Sequence, residues 1–178
     1  YQIRARQFER MEGEALEYDM EAVLALLRDR GIEFEEMHHI PVFTIDEMLA
    51  LDMPDPEHIA KNLFLRDDKK RNYYLVVSRE DRKVDLKALR EVLGSRPLSM
   101  ASESDLWEFL KLRKGAVTPF GVLNDPDRRV SVTIDSFFEG AVMGIHPNDN
   151  TCTVWIGSSD LVSVIGGSCK SIRFSDLP

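Results

Sequence analysis

The sequence predicts an α+β domain built on a mixed, mostly antiparallel, barrel-like sheet surrounded by helices. Strand-like and helix-like runs follow one another without the regular alternation of a doubly wound parallel sheet, and several strand-like runs are joined by short hairpin-like turns. With 178 residues, 43% of them hydrophobic, the chain can bury one sizeable core and is short for two. A single domain over 19–178 is therefore expected, preceded by an N-terminal extension at 1–18 in which Ile3, Phe8 and Met11 could form one helical stripe.

From Asp19, the spacing of Met20, Val23, Leu24 and Leu27 is that of an amphipathic helix stopped by Gly31. A strand over Glu33–Met37 follows, and Thr44 is placed to cap a short helix through Met48 and Leu51. Pro54 and Pro56 break that helix and lead into "IAKNLFLRD", residues 59–67, which reads as a strand paired through the turn "DDKKRN" with "YYLVVS". A helix over 85–93 ends at Gly94, and Ser102 with Asp105 signals the start of another through Leu110. "FGVLN", "RVSVTID", "AVMGIH" and "TCTVWIG" read as short strands, "DLVSVIG" as a last helix and "SIRF" as a last strand.

Composition removes several function classes. No apolar run approaches the roughly 18 residues of a membrane span and no secretory leader pattern opens the chain, so a soluble, cytoplasmic protein is expected. Tyr1 is not a start methionine, so a leader removed before it would not be visible. Two cysteines, Cys152 and Cys169, are too sparse for a disulfide framework. The formal charge of −8 argues against sequence-blind binding along a nucleic-acid backbone, though not against gripping one end of an RNA. A DNA-binding role is disfavoured by that charge and by the lack of a helix-turn-helix signal.

Within the strand 59–67, alternation places Ile59, Lys61, Leu63 and Leu65 on one face and Ala60, Asn62 and Phe64 on the other. Lys61 is thus alone among aliphatics, either snorkelling to water or holding one positive charge for an anionic ligand. In "KGAVTPFG", 114–121, Gly115 and Ala116 leave their amides unshielded and Pro119 stiffens the exit, a loop suited to an oxyanion or to a plain turn. "IHPNDNT" places His146 before a proline at a sheet rim, as a ligand contact or a hydrogen-bonded turn residue. In "HHIPVFT", His39 or Thr44 could face a pocket, with capping by Thr44 as the simpler role. No G-x-S-x-G, Walker A, G-x-G-x-x-G or H-E-x-x-H pattern occurs, and histidines 38, 39, 58 and 146 lack metal-site spacing, so neither metal nor cofactor is expected.

Taken in order, "HHIPVFTIDEM", "KNLFLRD", "YYLVV", "KGAVTPFG" and "IHPNDNT" resemble the YbaK/ProX family of aminoacyl-tRNA deacylases, whose domain is similar to the editing insertion of bacterial prolyl-tRNA synthetases. The resemblance runs from about residue 20 to the C-terminus and implies hydrolysis of the ester joining a wrong amino acid to a tRNA's terminal adenosine. Lys61–Asn62 and the loop Gly115, Ala116, Val117, Thr118, Pro119 match members that clear alanine from tRNA(Pro); members that clear cysteine have lysine–threonine and a different loop. The resemblance implies Lys61 as the essential charge, amides around Gly115–Thr118 as donors to the ester oxygen, and Asn62 and His146 as positioning groups. A protonated ammonium has no lone pair, so Lys61 is not assigned as general base. Implied partners are the alanine-carrying acceptor end of tRNA(Pro) and a prolyl-tRNA synthetase. Basic clusters at Lys69–Arg71, Lys111–Lys114 and Arg128–Arg129 are candidate RNA contacts or ordinary solvated charge. The same fold acting on a cysteine- or serine-carrying tRNA, or a sensor that binds aminoacyl-tRNA or an amino acid without turnover, are the alternatives.

Overall fold

A computed structural model describes residues 18–178, so the stripe at Ile3, Phe8 and Met11 lies outside the described residues. The first helix, α1 (Met20–Asp29), begins where the Asp19 carboxylate accepts the amide of Ala22 and ends at Gly31, whose φ of +66° is the left-handed conformation a glycine adopts without strain. Its Val23, Leu24 and Leu27 are buried in the main core. Strand β1 (Phe34–His38) follows, and Thr44 caps the short helix α2 (Ile45–Leu49) by accepting from Glu47 N–H.

The lysine-bearing run forms β2 (Ala60–Asp67) and pairs antiparallel with β3 (Tyr73–Arg79), Lys61 lying opposite Ser78. Helix α3 (Leu86–Leu93) starts at the cap Asp85 and ends at Gly94, and β4 (Leu98–Met100) then lies antiparallel to the far end of β2. Helix α4 (Glu103–Leu110) carries the full capping box between Ser102 and Asp105. The remainder comprises β5 (Val130–Asp135), β6 (Val142–Ile145), β7 (Cys152–Gly157), α5 (Ser158–Ile165) and β8 (Ser171–Ser175).

Two open sheets result, ordered β1-β7-β6 and β4-β2-β3-β5-β8. Four pairings are antiparallel, while β3 with β5 and β5 with β8 are parallel, so the sheet is mixed and mostly antiparallel as expected, but it does not close into a barrel. The sheets touch at one parallel bridge, Ile59 to Gly144. One face of β2 sends Phe64 into the main core with Leu75, Phe109 and Ile134, and the other sends Leu65 into a smaller cluster with Val76, Leu89 and Leu177. The alternation read from the sequence is therefore the one adopted.

Two local expectations are corrected. "FGVLN" is not a strand: Pro119–Asn124 form a 3-10 helix, because Pro119 presets a helical φ at its first position and the Thr118 hydroxyl accepts the amide of Phe120. The three-residue β4 went unread, being too short to show a period of two.

Asp105 ties α4 to the large sheet: besides its capping bonds it accepts from Arg66 Nη1 at 2.7 Å and from the Tyr73 hydroxyl at 3.2 Å. Burial alone would raise its carboxyl, but the Ser102 amide and hydroxyl and the Arg66 guanidinium outweigh it and hold the pKa below the usual carboxylate range. Asp105→Ala removes a cap and leaves the partly buried Arg66 unpaired, for an expected loss of about 2–3 kcal/mol in denaturant unfolding. Because the folded pKa lies below the unfolded one, the contribution is whole above about pH 4 and fades as pH falls through the folded value. The stability gap between wild type and variant should therefore narrow in acid.

Candidate active site

Strand β4 reaches β2 only at Leu65–Asp67, with the amide of Ala101 adding one bond to Phe64 O, so among the described residues the edge of β2 at Ala60–Asn62 has no strand beside it. A pocket of about 370 Å³ lies there, between that edge and the neighbouring loops. Ala60, Lys61 and Asn62 form one wall, Val42, Phe43, Thr44 and Met48 another, and Lys114, Gly115, Val117 and His146 a third. Met100, at the end of β4, and Glu80, just past β3, complete the lining.

Of the residues singled out in the sequence, Lys61, Asn62, Gly115, Val117 and His146 meet here. Lys61 is half-buried, and among the described residues its ammonium has no ion-pair or hydrogen-bond partner. Asn62 lines the wall, and its Oδ1 is buried without a donor among the described residues. Thr118 and Pro119 are not lining residues; both are buried, and the Thr118 hydroxyl donates to His146 O, joining the glycine loop to the histidine turn. Ala116 is likewise off the lining, and its amide donates to Arg113 O. Among the described residues the amides of Gly115 and Val117 have no such intrachain acceptor.

Gly115 is needed twice over. Its φ is +87°, and a Cβ there would stand 2.9 Å from Phe43 Cδ1. Phe43 is itself fixed, its amide donating to Glu47 Oε2 while Asn150 Nδ2 donates to Val42 O at 2.7 Å, yet its ring is 70% exposed at the pocket mouth.

His146 Nδ1 donates to Cys152 O at 2.8 Å, which fixes the tautomer with the lone pair on Nε2. Burial pushes its pKa below the usual histidine range, and the nearby His39 ring, 6.0 Å away between centroids, adds to this against the opposing bond to Cys152 O. The imidazole is thus neutral at pH 7, a hydrogen-bond acceptor rather than a charge. His39 turns instead to Thr153 Oγ1 and Ile40 O and does not line the pocket, while Thr44 does so as well as capping α2.

Sequence reasoning missed Glu80, Phe43, Met48 and Met100 as lining residues. Only the "HHIPVFT" motif pointed near any of them. Outside the pocket, Glu36, His38 and Cys152 bring three potential ligand atoms within 4.8 Å, but Glu36 is already engaged by Arg28 and His38, and burial pushes the Cys152 thiol up to about 11.

The profile of the aminoacyl-tRNA editing domain matches residues 39–164. The chain is 46% identical over 157 residues to the prolyl-tRNA editing protein ProX of Acetoanaerobium sticklandii, covering 86% of this chain and 96% of that one. It is 37% identical over 161 residues to prolyl-tRNA synthetase associated domain-containing protein 1 of Mus musculus, covering 85% and 90%. In fold it is similar to a crystal structure described as a candidate trans-editing enzyme for prolyl-tRNA synthetase, with a TM-score of 0.67, 18% identity and coverage of 89% and 95%. A hypothetical protein, APE2540, gives a TM-score of 0.69 at 19% identity, covering 87% and 97%. With the family profile spanning well over half its length, this chain belongs to the aminoacyl-tRNA editing domain family.

Proposed function

We propose that the protein is a free-standing aminoacyl-tRNA deacylase that hydrolyses the ester of alanine mischarged onto tRNA(Pro), working in the cytoplasm in trans to a prolyl-tRNA synthetase. The observation that carries this is the meeting of the Lys61–Asn62 pair with the Gly115 loop across one small, largely apolar pocket, in a chain of the editing-domain family.

In this mechanism Lys61 holds the phosphate or ribose oxygens of the terminal adenosine by charge, inside a half-buried site where attraction is stronger than in bulk water. The ester carbonyl points at the free amides of Gly115 and Val117. A water molecule, oriented with help from the ribose hydroxyl beside the ester, adds to the carbonyl carbon. The negative charge that develops on the carbonyl oxygen is met by those amides, which need no rearrangement to receive it. Collapse breaks the bond to the ribose oxygen, which leaves with a proton ultimately derived from the water, releasing alanine and free tRNA. Neutral His146 offers Nε2 as an acceptor that keeps a ribose hydroxyl in place.

Selection is steric. An apolar pocket distinguishes one methylene by only about 1–3 kcal/mol, which is why a synthetase site admits the smaller alanine; a second site that excludes the larger proline ring supplies the missing discrimination. Val42, Met48, Ala60 and Val117 provide such apolar walls. Lys114 at the pocket extends the positive charge toward the acceptor stem, in keeping with contact limited to one end of the RNA by a protein of net charge −8.

The deciding assay is hydrolysis of Ala-, Cys-, Ser- and Pro-tRNA(Pro) by the purified protein. Alanine is expected to be released rapidly and proline spared; preferred release of cysteine or serine would reassign the substrate, and no turnover with saturable binding would mark a sensor. Lys61→Ala should lower kcat/KM at least about 100-fold, the scale of losing an electrostatic contact to the reacting group, with an unchanged unfolding midpoint. Gly115→Ala should lower activity by a similar factor, because the loop must move to relieve the positive φ and the exposed Phe43 ring must shift from the pocket mouth to admit the new Cβ. Protonation of His146 destroys its acceptor, and its pKa is depressed, so the acid limb of the kcat/KM profile should fall below pH 6.5, the ordinary histidine value, and be lost in His146→Ala.

A further inference from the structure

The pocket contains a second charged group that the hydrolytic steps leave idle. Glu80 immediately follows β3, one residue past the Arg79–Ala60 pair, and lines the cavity half-buried. Its neighbour Asp81 is gripped by Arg79 through bonds of 2.9 and 2.7 Å. Glu80 itself has no hydrogen-bond or ion-pair partner among the described residues, and burial, followed by the charge of Asp81, pushes its carboxyl above the usual carboxylate range. Lys61 and Lys114 line the same cavity, and among the described residues no ion pair joins either of them to Glu80.

Two opposite charges kept in one pocket but apart, each short of a partner, are unfavourable in the empty protein and favourable for a ligand with charges spaced to match. The substrate class proposed above has that pattern. Its nucleotide end carries a phosphate, and its amino-acid end carries a primary α-ammonium next to the scissile carbonyl.

Resting on the deacylase reading, we propose that Glu80 is a specificity residue that holds the α-ammonium of the esterified amino acid. A primary ammonium has three N–H donors and can serve both oxygens of the Glu80 carboxylate with one to spare. Proline's secondary ammonium also has two donors, but it carries a ring carbon in place of the third hydrogen, and presenting both N–H groups to Glu80 turns that ring toward the pocket wall, which adds to the steric exclusion of proline. An N-acylated amino acid has no positive charge to offer and is refused.

The test is calorimetric binding of 3′-alanylamino-3′-deoxyadenosine 5′-phosphate, whose amide link resists hydrolysis, beside its N-acetyl derivative. Wild type should prefer the free amine by about tenfold or more, the scale of one charge-assisted hydrogen bond in a half-buried site. Glu80→Gln, similar in shape, should lose that preference by weakening only the free-amine complex, and Glu80→Asp should recover part of it. Equal binding of both compounds by wild type, or an undiminished preference in Glu80→Gln, overturns the assignment. A wild type that clears Ala-tRNA(Pro) while Glu80→Gln matches its kcat/KM refutes Glu80 alone and leaves the deacylase standing; failure of wild type both to bind either analogue and to hydrolyse the ester refutes both.

Discussion

The pocket exists because β2 is paired on both edges for only part of its length. From Leu65 onward β4 lies against it, but at Ala60–Asn62 that edge is open, and at Ile59 the chain crosses to a single bridge with Gly144 of the other sheet. The crossing demands a residue without a side chain: a Cβ at Gly144 would stand 3.2 Å from both Ile59 Cγ1 and Trp155 Nε1. Close approach there holds the two sheets at a fixed separation, and the space along the open edge of β2 is what the loops bearing Phe43, Gly115 and His146 then wall in.

The loops are joined to each other as well as to the sheets. Thr118 donates to the carbonyl of His146, His146 to that of Cys152, and Asn150 bonds the backbone of Val42 in both directions. These contacts join residues 6 to 108 apart in sequence and converge on one cavity. A site held in this way needs little reorganisation when charge develops on a substrate, which is the condition for backbone amides to be effective in place of charged side chains. Its polar groups are also unlike one another: a charged lysine, a neutral histidine acceptor, a buried amide oxygen and an unpaired carboxylate each offer a different chemistry within one small volume.

Local signals in the sequence were reliable where the physics is local. The caps expected at Thr44 and Ser102 and the glycine stops at Gly31 and Gly94 depend on bonds within a few residues and formed as the spacing indicates, and Asp19 and Asp85 cap two further helices. The strand assigned to "FGVLN" failed because apolar residues next to Pro119 look the same whether they are buried by a strand or by a tight helix; the Thr118 cap and its tie to His146 decided it. The barrel-like description holds only loosely, because strand patterns do not say which edges meet, and here β6 and β8 end their sheets separately.

What the sequence determined by itself was most of the elements, the isolation of Lys61 on an aliphatic face and the glycine-proline loop, since each follows from side-chain periodicity or from what glycine and proline permit. What only the tertiary structure decided was which groups share the pocket and in what state: that Asn62 Oδ1 has no donor among the described residues, that His146 is neutral, that Thr118 ties the loop to the His146 turn, and that Glu80, one carboxylate in the charged run "SREDRK", lines the cavity without an ion pair among the described residues. Burial and pairing are properties of the space between distant segments. A charge in a polar stretch reads as solvated until the fold shows what has been placed around it.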